Sequence, residues 1–396
     1  MDIIYISTLS SKKFINHLYE QTGQNPGFAV QKFSRLLLSG LIQNNQSVMA
    51  LSNPPITRSN SKKVFQNIKE EVEDKIKYKY IPFLNIPFIK HACIFIYAFF
   101  YALFWGFRNR KSKCIICDTL SISASLAALL ATKINRVKCC GVFTDIYGLM
   151  VGNNTRSYIK HLAARLNNRY SSMFTHYILL TEQMNLVVNP NKRPYMVMEA
   201  LCDINESSTP IADVIKHDPP IILYAGGIEE KYGLGVLVEA FIQLKKLNAE
   251  LHIYGSGSFV PELKKRCQLD PRLKYFGVKP NADIIEAERQ ASILVNPRFT
   301  SEDFTKYSFP SKNMEYMVSG TPVLTTLLPG MPKEYYDFIY LISEETVEGF
   351  KSAISAVMEV HPDTLKEKGN KARAFVLDKK NNIKQAERIV RFLQSY

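Results

Sequence analysis

Cysteine is sparse: seven residues in a 396-residue chain are too few for a disulfide scaffold. The first ten residues lack a charged lead, an apolar core and a cleavage site, so no secretory leader is expected and a reducing, cytoplasmic setting follows. The seven histidines show no HExxH or other ligand spacing, and no aspartate pair or His/Cys set stands at metal-binding intervals. No metal and no cofactor are therefore expected. Internal repeats and low-complexity tracts are lacking too. Acidic residues are scarce in one half. Residues 1–205 hold 25 Lys and Arg against 11 Asp and Glu, whereas residues 206–396 hold 25 of each, so the whole +14 excess lies in the N-terminal half. That half is expected to face something anionic. No interleaved basic-aromatic strand motif or helix-turn-helix spacing appears, which sets nucleic acid aside and leaves an anionic membrane surface.

What is present is a globular composition, 46% hydrophobic and 22% charged, in a chain long enough for two domains. Ala92 to Phe107 carries no charge and eight aromatic rings, counting Phe107 at its edge, with Lys90-His91 before it and Arg108-Asn109-Arg110-Lys111 after it. A helix over those residues reaches roughly 24 Å, less than a ~30 Å hydrocarbon core. This favours a core helix or an interfacial helix over a single-pass anchor. Rings beside Lys and Arg suit a headgroup layer, so peripheral attachment to the inner face of the cell membrane is the expected localisation.

Short apolar strands alternate with amphipathic helices along the chain. Strands are expected at Asp2–Ser7, Ser47–Leu51, Lys113–Asp118, Val137–Phe143, His176–Leu180 and Tyr195–Glu199, and again at Pro220–Ala225, Glu250–Tyr254, Leu273–Phe276, Ile293–Asn296 and Pro322–Thr325. Helices are expected at Gly27–Ile42, with Phe28, Val30, Phe33, Leu36–Leu38 and Leu41 inward, and at 233–247, 261–268, 281–290, 311–319, 344–360 and 382–395. Such alternation predicts parallel sheets covered on both faces. Asn205–Pro219 reads as a linker, and the charge-dense Lys62–Lys79 as a solvated excursion. The expected fold class is α/β, with two Rossmann-like doubly wound domains facing a central cleft. Residues 1–205 form the first, membrane-facing domain, 206–380 the second, and 381–396 a helix packing back toward the first.

Three stretches of the second half carry phosphate and sugar chemistry. Gly226-Gly227 follows the first strand, with Lys231 a few residues on as a point charge for a diphosphate. Gly255-Ser256-Gly257 repeats the logic without the third glycine of a dinucleotide fingerprint. Asn296-Pro297-Arg298 and Tyr307-Ser308-Phe309-Pro310-Ser311-Lys312-Asn313-Met314-Glu315 form the third. Pro310 sits at a helix start, and Lys312 and Glu315 share one helical face. The carboxylate of Glu315 can accept two hydroxyls of a ribose, while Lys312 and the helix end hold phosphate; an ordinary i,i+3 ion pair is the plainer reading of those two residues taken alone.

With these residues the chain resembles retaining glycosyltransferases of family 4, which have the GT-B fold, and in particular members that serve capsule, exopolysaccharide or O-antigen assembly. The likeness is strongest over 220–340. Glu315 matches the second glutamate of the family's paired motif; Tyr307 stands where the first belongs, and Gly227 where an arginine is usual, with Lys231 displaced by about one residue from the usual lysine. The resemblance implies metal-free transfer of a sugar from a nucleoside-diphosphate donor with retention, to a lipid-linked or polysaccharide acceptor. Lys231, Lys312 and Glu315 are then the catalytic candidates on the donor side, with Arg298 replacing the lost charge and Glu302 or Asp303 standing in for the missing glutamate. On the acceptor side the candidates are Gly23 and Gly27, which flank a helix start, and Asp145 in Thr144-Asp145-Ile146-Tyr147-Gly148, which could orient or deprotonate a hydroxyl or simply cap the next segment. Cys114/Cys117 and Cys139-Cys140 read as strand core. Two other readings are a nucleotide-sugar epimerase of the same fold, for which no convincing acid/base set is found, and a degenerate partner subunit, which the Tyr307 and Gly227 departures motivate.

Overall fold

The computed structural model describes residues 1–108, 112–146, 166, 169–208 and 216–395. Tyr147-Gly148, the Asn109-Arg110-Lys111 flank and Thr209-Pro210 of the expected linker lie outside them. The chain divides into two compact units: residues 1–201 with 382–396, and residues 202–381. The division falls a few residues before the expected linker because Cys202 pairs with Asn381 and donates its N–H to the Lys380 carbonyl (3.0 Å).

The first unit runs β1 (Asp2–Ser7), α1 (Lys12–Thr22), α2 (Phe28–Gln43), β2 (Ser47–Ser52), β3 (Phe65–Gln66), β4 (Glu71–Glu73), β5 (Ile76–Tyr80), β6 (Phe83–Leu84), α3 (Ile89–Phe107), β7 (Lys113–Asp118), α4 (Ile122–Asn135), β8 (Lys138–Phe143), β9 (His176–Leu179), α5 (Glu182–Val188) and β10 (Tyr195–Val197). The second runs β11 (Ile221–Gly227), α6 (Leu234–Gln243), β12 (Glu250–Ser256), α7 (Val260–Leu269), β13 (Leu273–Gly277), α8 (Asn281–Gln290), β14 (Ile293–Asn296), α9 (Ser311–Ser319), β15 (Val323–Thr326), β16 (Ile339–Ile342), α10 (Val347–Met358) and α11 (Pro362–Lys379). A last helix, α12 (Asn382–Ser395), returns to the first unit, where Ala386, Ile389, Val390 and Leu393 join Leu37, Leu38 and Leu41 in its core.

The second sheet has the order β13-β12-β11-β14-β15-β16, every pair parallel. The first has the order β10-β9-β8-β7-β1-β2-β5-β4, parallel except at β4–β5. Both build outward on one side of their first strand and then cross to the other. The reversal lies between β11 and β14 in one unit and between β1 and β7 in the other. Loops leaving the carboxyl ends of those strand pairs diverge and open a crevice, the usual ligand position in doubly wound sheets.

Several expectations need correcting. Lys62–Lys79 is not a solvated excursion: its end enters β5, which pairs parallel with β2 and buries Ile76, Tyr78 and Tyr80 while Lys77 stays outside. Residues 12–22, assigned no element by the strand and helix pattern, form helix α1. On α2, Phe28 and Val30 are exposed, and Gln31 and Ser34 are buried in their place. Polar burial is satisfied there: Gln31 accepts from the Ser10 N–H (2.8 Å) and donates to the Thr8 carbonyl (2.9 Å), and Ser34 bonds the Tyr5 hydroxyl (3.0 Å). The aromatic helix starts three residues before Ala92, so its 19 residues span about 28 Å and length no longer argues against a crossing.

Candidate donor site

Gly226 and Gly227 end β11, and a 3₁₀ turn at Glu230–Tyr232 separates them from α6, so the glycine pair does not itself open the helix. It opens instead at Gly233, whose φ of +80° and lack of a side chain let the Pro297 carbonyl pass where a Cβ would lie 2.0 Å from its oxygen. The second glycine turn lies directly against the first. Gly226 pairs with Gly255 and Gly227 with Ser256, and a Cβ on Gly255 (φ +131°) would sit 1.9 Å from the Gly226 oxygen. Ser256 is exposed and its carbonyl accepts from Ile228 N–H (2.9 Å); a Cβ on Gly257 would meet the Ile228 carbonyl at 2.1 Å. The two turns are thus one backbone platform at the carboxyl ends of β11 and β12.

Helix α9 is fastened to the same strand ends. The Tyr316 hydroxyl accepts from Ala225 N–H (2.9 Å) and donates to the Ala225 carbonyl (3.2 Å), one residue before Gly226. Asn296, the last residue of β14, donates to the Asn313 side chain (2.7 Å). Pro310 caps the helix, Ser311 is exposed at its first position, and buried Phe309 packs on Tyr335 with ring centroids 5.1 Å apart. Lys312 and Glu315 meet as a 2.6 Å ion pair, each about one third exposed. The plainer i,i+3 pair therefore exists in the structure, and a ribose would have to share Glu315 with Lys312. The Ser308 hydroxyl and the Asn313 amide nitrogen are buried without a hydrogen-bond partner among the described residues.

Arg298, just past β14, supplies the remaining charge. Its guanidinium lies 4.9 Å from the Tyr232 ring centroid and 5.9 Å from that of Phe304, while Lys231 approaches the same rings from 5.6 and 5.8 Å. Burial pulls the Arg298 pKa down from its ordinary value, opposed by Tyr232, Tyr224 and Tyr316 nearby. Among the described residues no carboxylate pairs with it. A half-buried cation held by aromatic faces is chemically suited to pair with an anionic group. Tyr307 closes a 3₁₀ turn over Asp303–Tyr307 and is half-buried. Asp303 is exposed and paired with Lys306 (3.2 Å), so it is spoken for at the surface; Glu302 caps the turn with its carbonyl.

On the first unit, Asp145 follows β8, is half-buried, and accepts from the Ile146 N–H (2.8 Å); burial raises its pKa. Gly23 and Gly27 are placed differently from expectation. Gly23 is the left-handed C-cap of α1, and the Asn25 carboxamide already accepts the Gly27 and Phe28 N–H groups (2.8 and 3.1 Å), so those donors are occupied. The residue that sequence reasoning passed over is Asp118. It ends β7 at the reversal point beside β1, is 5% exposed, and burial pushes its carboxyl up to about 6. The signal was an acid closing an otherwise apolar strand, KCIICD. Cys114, Cys117, Cys139 and Cys140 are buried as strand core.

Each of the two units is thus a parallel-sheet, Rossmann-like α/β fold, and the second bears a glycine platform, a Lys–Glu pair and an arginine with no carboxylate partner among the described residues near its reversal point. Residues 219–359, which contain every strand of the second sheet, match the family described as "Glycosyl transferases group 1". The amylovoran biosynthesis glycosyltransferase AmsK of Erwinia amylovora is 33% identical over 122 residues, 30% of each chain. The putative colanic acid biosynthesis glycosyltransferase WcaL of Escherichia coli is 27% identical over 165 residues, 40% of this chain and 41% of that one. The match thus spans less than half the length of these relatives. In fold, the Anabaena protein Alr3699/HepE, solved in complex with UDP, superposes over 100% of both chains with a TM-score of 0.65 at 14% identity. A glycosyltransferase from Rickettsia africae gives the same score at 15% identity, over 100% of this chain and 98% of that one.

Proposed function

We propose that the protein is a glycosyltransferase of exopolysaccharide assembly that moves a sugar from a nucleoside-diphosphate donor, with retention, to a lipid-linked or polysaccharide acceptor. The observation that carries this reading is the unpaired Arg298 beside the Gly226–Gly227 platform and the Lys312–Glu315 pair, all inside the segment that matches group 1 glycosyl transferases. In the reaction, the bond from the anomeric carbon to the diphosphate breaks, the acceptor oxygen bonds to the same face, and its proton leaves with the diphosphate. Arg298, Lys231 and Lys312 would take the charge that develops on that leaving group. Glu315 would hold the nucleoside ribose. Asp145 and Asp118, at strand ends of the first unit, are the carboxyls available to an acceptor hydroxyl. Cytoplasmic residence on the membrane face belongs to the same reading, since the acceptor and donor would meet there. That a protein of this fold was solved with UDP supports testing UDP-sugars first.

The test is a thermal-shift panel of UDP-, GDP- and CMP-sugars on the full chain, followed by donor turnover. Glu315→Ala should weaken the stabilising donor by about 30- to 150-fold, because ribose hydroxyls lose a charged acceptor at about 2–3 kcal/mol. Unchanged donor affinity in a folded variant would remove Glu315 from the site, and binding without turnover would favour the degenerate partner subunit.

A further inference from the structure

A surface helix normally shows one apolar stripe, yet α3 shows two. The inner stripe is settled. Ile94, Ala98 and Ala102 are fully buried, Asn135 of α4 donates to the Ala102 and Leu103 carbonyls (3.0 and 3.3 Å), and the Tyr101 hydroxyl reaches Met49 Sδ at 3.4 Å. His91 meets Ser123 at the other end (2.9 Å), so α3 and α4 lie side by side and parallel along their length. Among the described residues nothing lies over the outer stripe. Ile89, Ile96, Phe100, Phe104 and Phe107 fall within about 80° of one another at about 100° per residue, opposite the buried trio. They are 45, 55, 49, 63 and 64% exposed, and Phe88 before them is 88% exposed. Between them stand Ala92, Cys93 and Leu103, so the strip contains no polar side chain. A scattered exposed ring is ordinary, but a continuous strip of this length is a docking surface.

Its surroundings choose the partner. From Lys75 to Cys117 the chain holds no aspartate or glutamate. Exposed His91 stands at one end of the strip and exposed Arg108 at the other, while exposed Lys133 and Arg136 flank exposed Ile134 at the end of α4; the Lys90 amine is turned inward onto the Ile56 carbonyl (2.6 Å). A second copy would bring these like charges together, whereas an anionic bilayer answers both the rings and the cations. Nor is a crossing compatible with the packing. The Lys113 amine holds the Trp105 and Gly106 carbonyls (2.5 and 3.1 Å), and a Cβ on Gly106 would sit 1.8 Å from the Asn135 amide, so leaving the unit would break this seam throughout.

We propose that α3 lies flat in the headgroup layer of an anionic membrane, its outer strip in the acyl boundary and its inner face still on the protein. This extends the proposed function by giving it a surface on which to meet a membrane-held acceptor, but it rests on separate observations and is tested without nucleotide. The full chain is floated with vesicles of phosphatidylcholine alone and of phosphatidylcholine with phosphatidylglycerol, beside melting curves and sedimentation. Flotation should require phosphatidylglycerol and fade in high salt. Phe100→Ser, Phe104→Ser and Phe107→Ser should each weaken it about tenfold without lowering the melting temperature, since those rings touch solvent. Lys133→Glu and Arg136→Glu should each cost at least about fivefold. No flotation with either vesicle would overturn the proposal. So would ring variants that melt early, a salt-resistant and carbonate-resistant association that marks a spanning helix, or a dimer that the ring variants dissociate in the absence of lipid.

Discussion

Replacing Arg298 with alanine tests the phosphate half of the proposed donor site. The side chain is half-buried against Tyr232 and Phe304 and has no carboxylate partner among the described residues, so its removal breaks no ion pair. The stability cost should be the lost cation–ring contact, about 0.5–1 kcal/mol, and the variant stays folded. The binding cost is larger. A guanidinium donating to diphosphate oxygens in a partly dry site contributes about 1.5–3 kcal/mol, which is roughly 10- to 150-fold in Kd. Calorimetric titration with UDP and with uridine should show that loss for UDP only, because the nucleoside carries no charge for Arg298 to meet. Arg298→Lys should fall between, keeping the charge and losing the fork. Equal losses for UDP and uridine would refute the assignment by making Arg298 a support of the nucleoside pocket. Undiminished UDP binding by folded Arg298→Ala would refute it outright.

Two further outcomes test the framework around the sites. Gly255→Ala should cost about 2–4 kcal/mol, since its Cβ meets a backbone oxygen that cannot yield, whereas Gly277→Ala, also at positive φ (+72°) but with the Tyr275 hydroxyl no nearer than 4.0 Å, should cost only about 1 kcal/mol; equal melting temperatures for the two would overturn the platform. His176 is buried beside Phe392, and burial, aided by Lys138, lowers its pKa to about 4 from an ordinary 6.5. The unfolded chain then binds the proton more strongly, so the contribution is fully present above about pH 6.5 and is lost as pH falls toward 4, by at most about 3 kcal/mol. Melts of His176→Gln should show a flatter pH slope over that window, and an identical slope would contradict it.

The alternation of apolar strands and amphipathic helices was legible because most strands are buried on both faces and read as continuous apolar runs. What escaped notice was burial by other means. In β5 the lysines between Ile76, Tyr78 and Tyr80 raised the charge density and hid a period of two. Helix α11 packs through small residues, with Gly369 so near the Gly320 carbonyl that a Cβ would lie 2.0 Å from it, and such contacts leave no stripe of large side chains to read. In the candidate donor site, the candidate residues could be named from the sequence but their company could not. Arg298 and Lys231 share the Tyr232 and Phe304 rings across 67 positions of sequence, a juxtaposition that only the strand order creates. Asp118 was hidden by its strand, because its meaning comes from lying at the reversal point.

The return of α12 to the first unit sets an order on synthesis. Residues 202–381 are an insertion in the chain of the first unit, and the two ends of that insertion are held together at Cys202 and Asn381. A ribosome therefore releases the first sheet long before the helix that covers Leu37, Leu38 and Leu41. During that interval the nascent first unit carries an uncovered apolar face, open to chaperones or to neighbouring chains. The second unit emerges contiguous and can close as it emerges. Its closure brings Asn381 beside Cys202 and so delivers the following residues to the place where the chain departed. Folding of the second unit thereby becomes the step that completes its predecessor, and a destabilising substitution within 202–381 prolongs the exposure of an apolar face in the first.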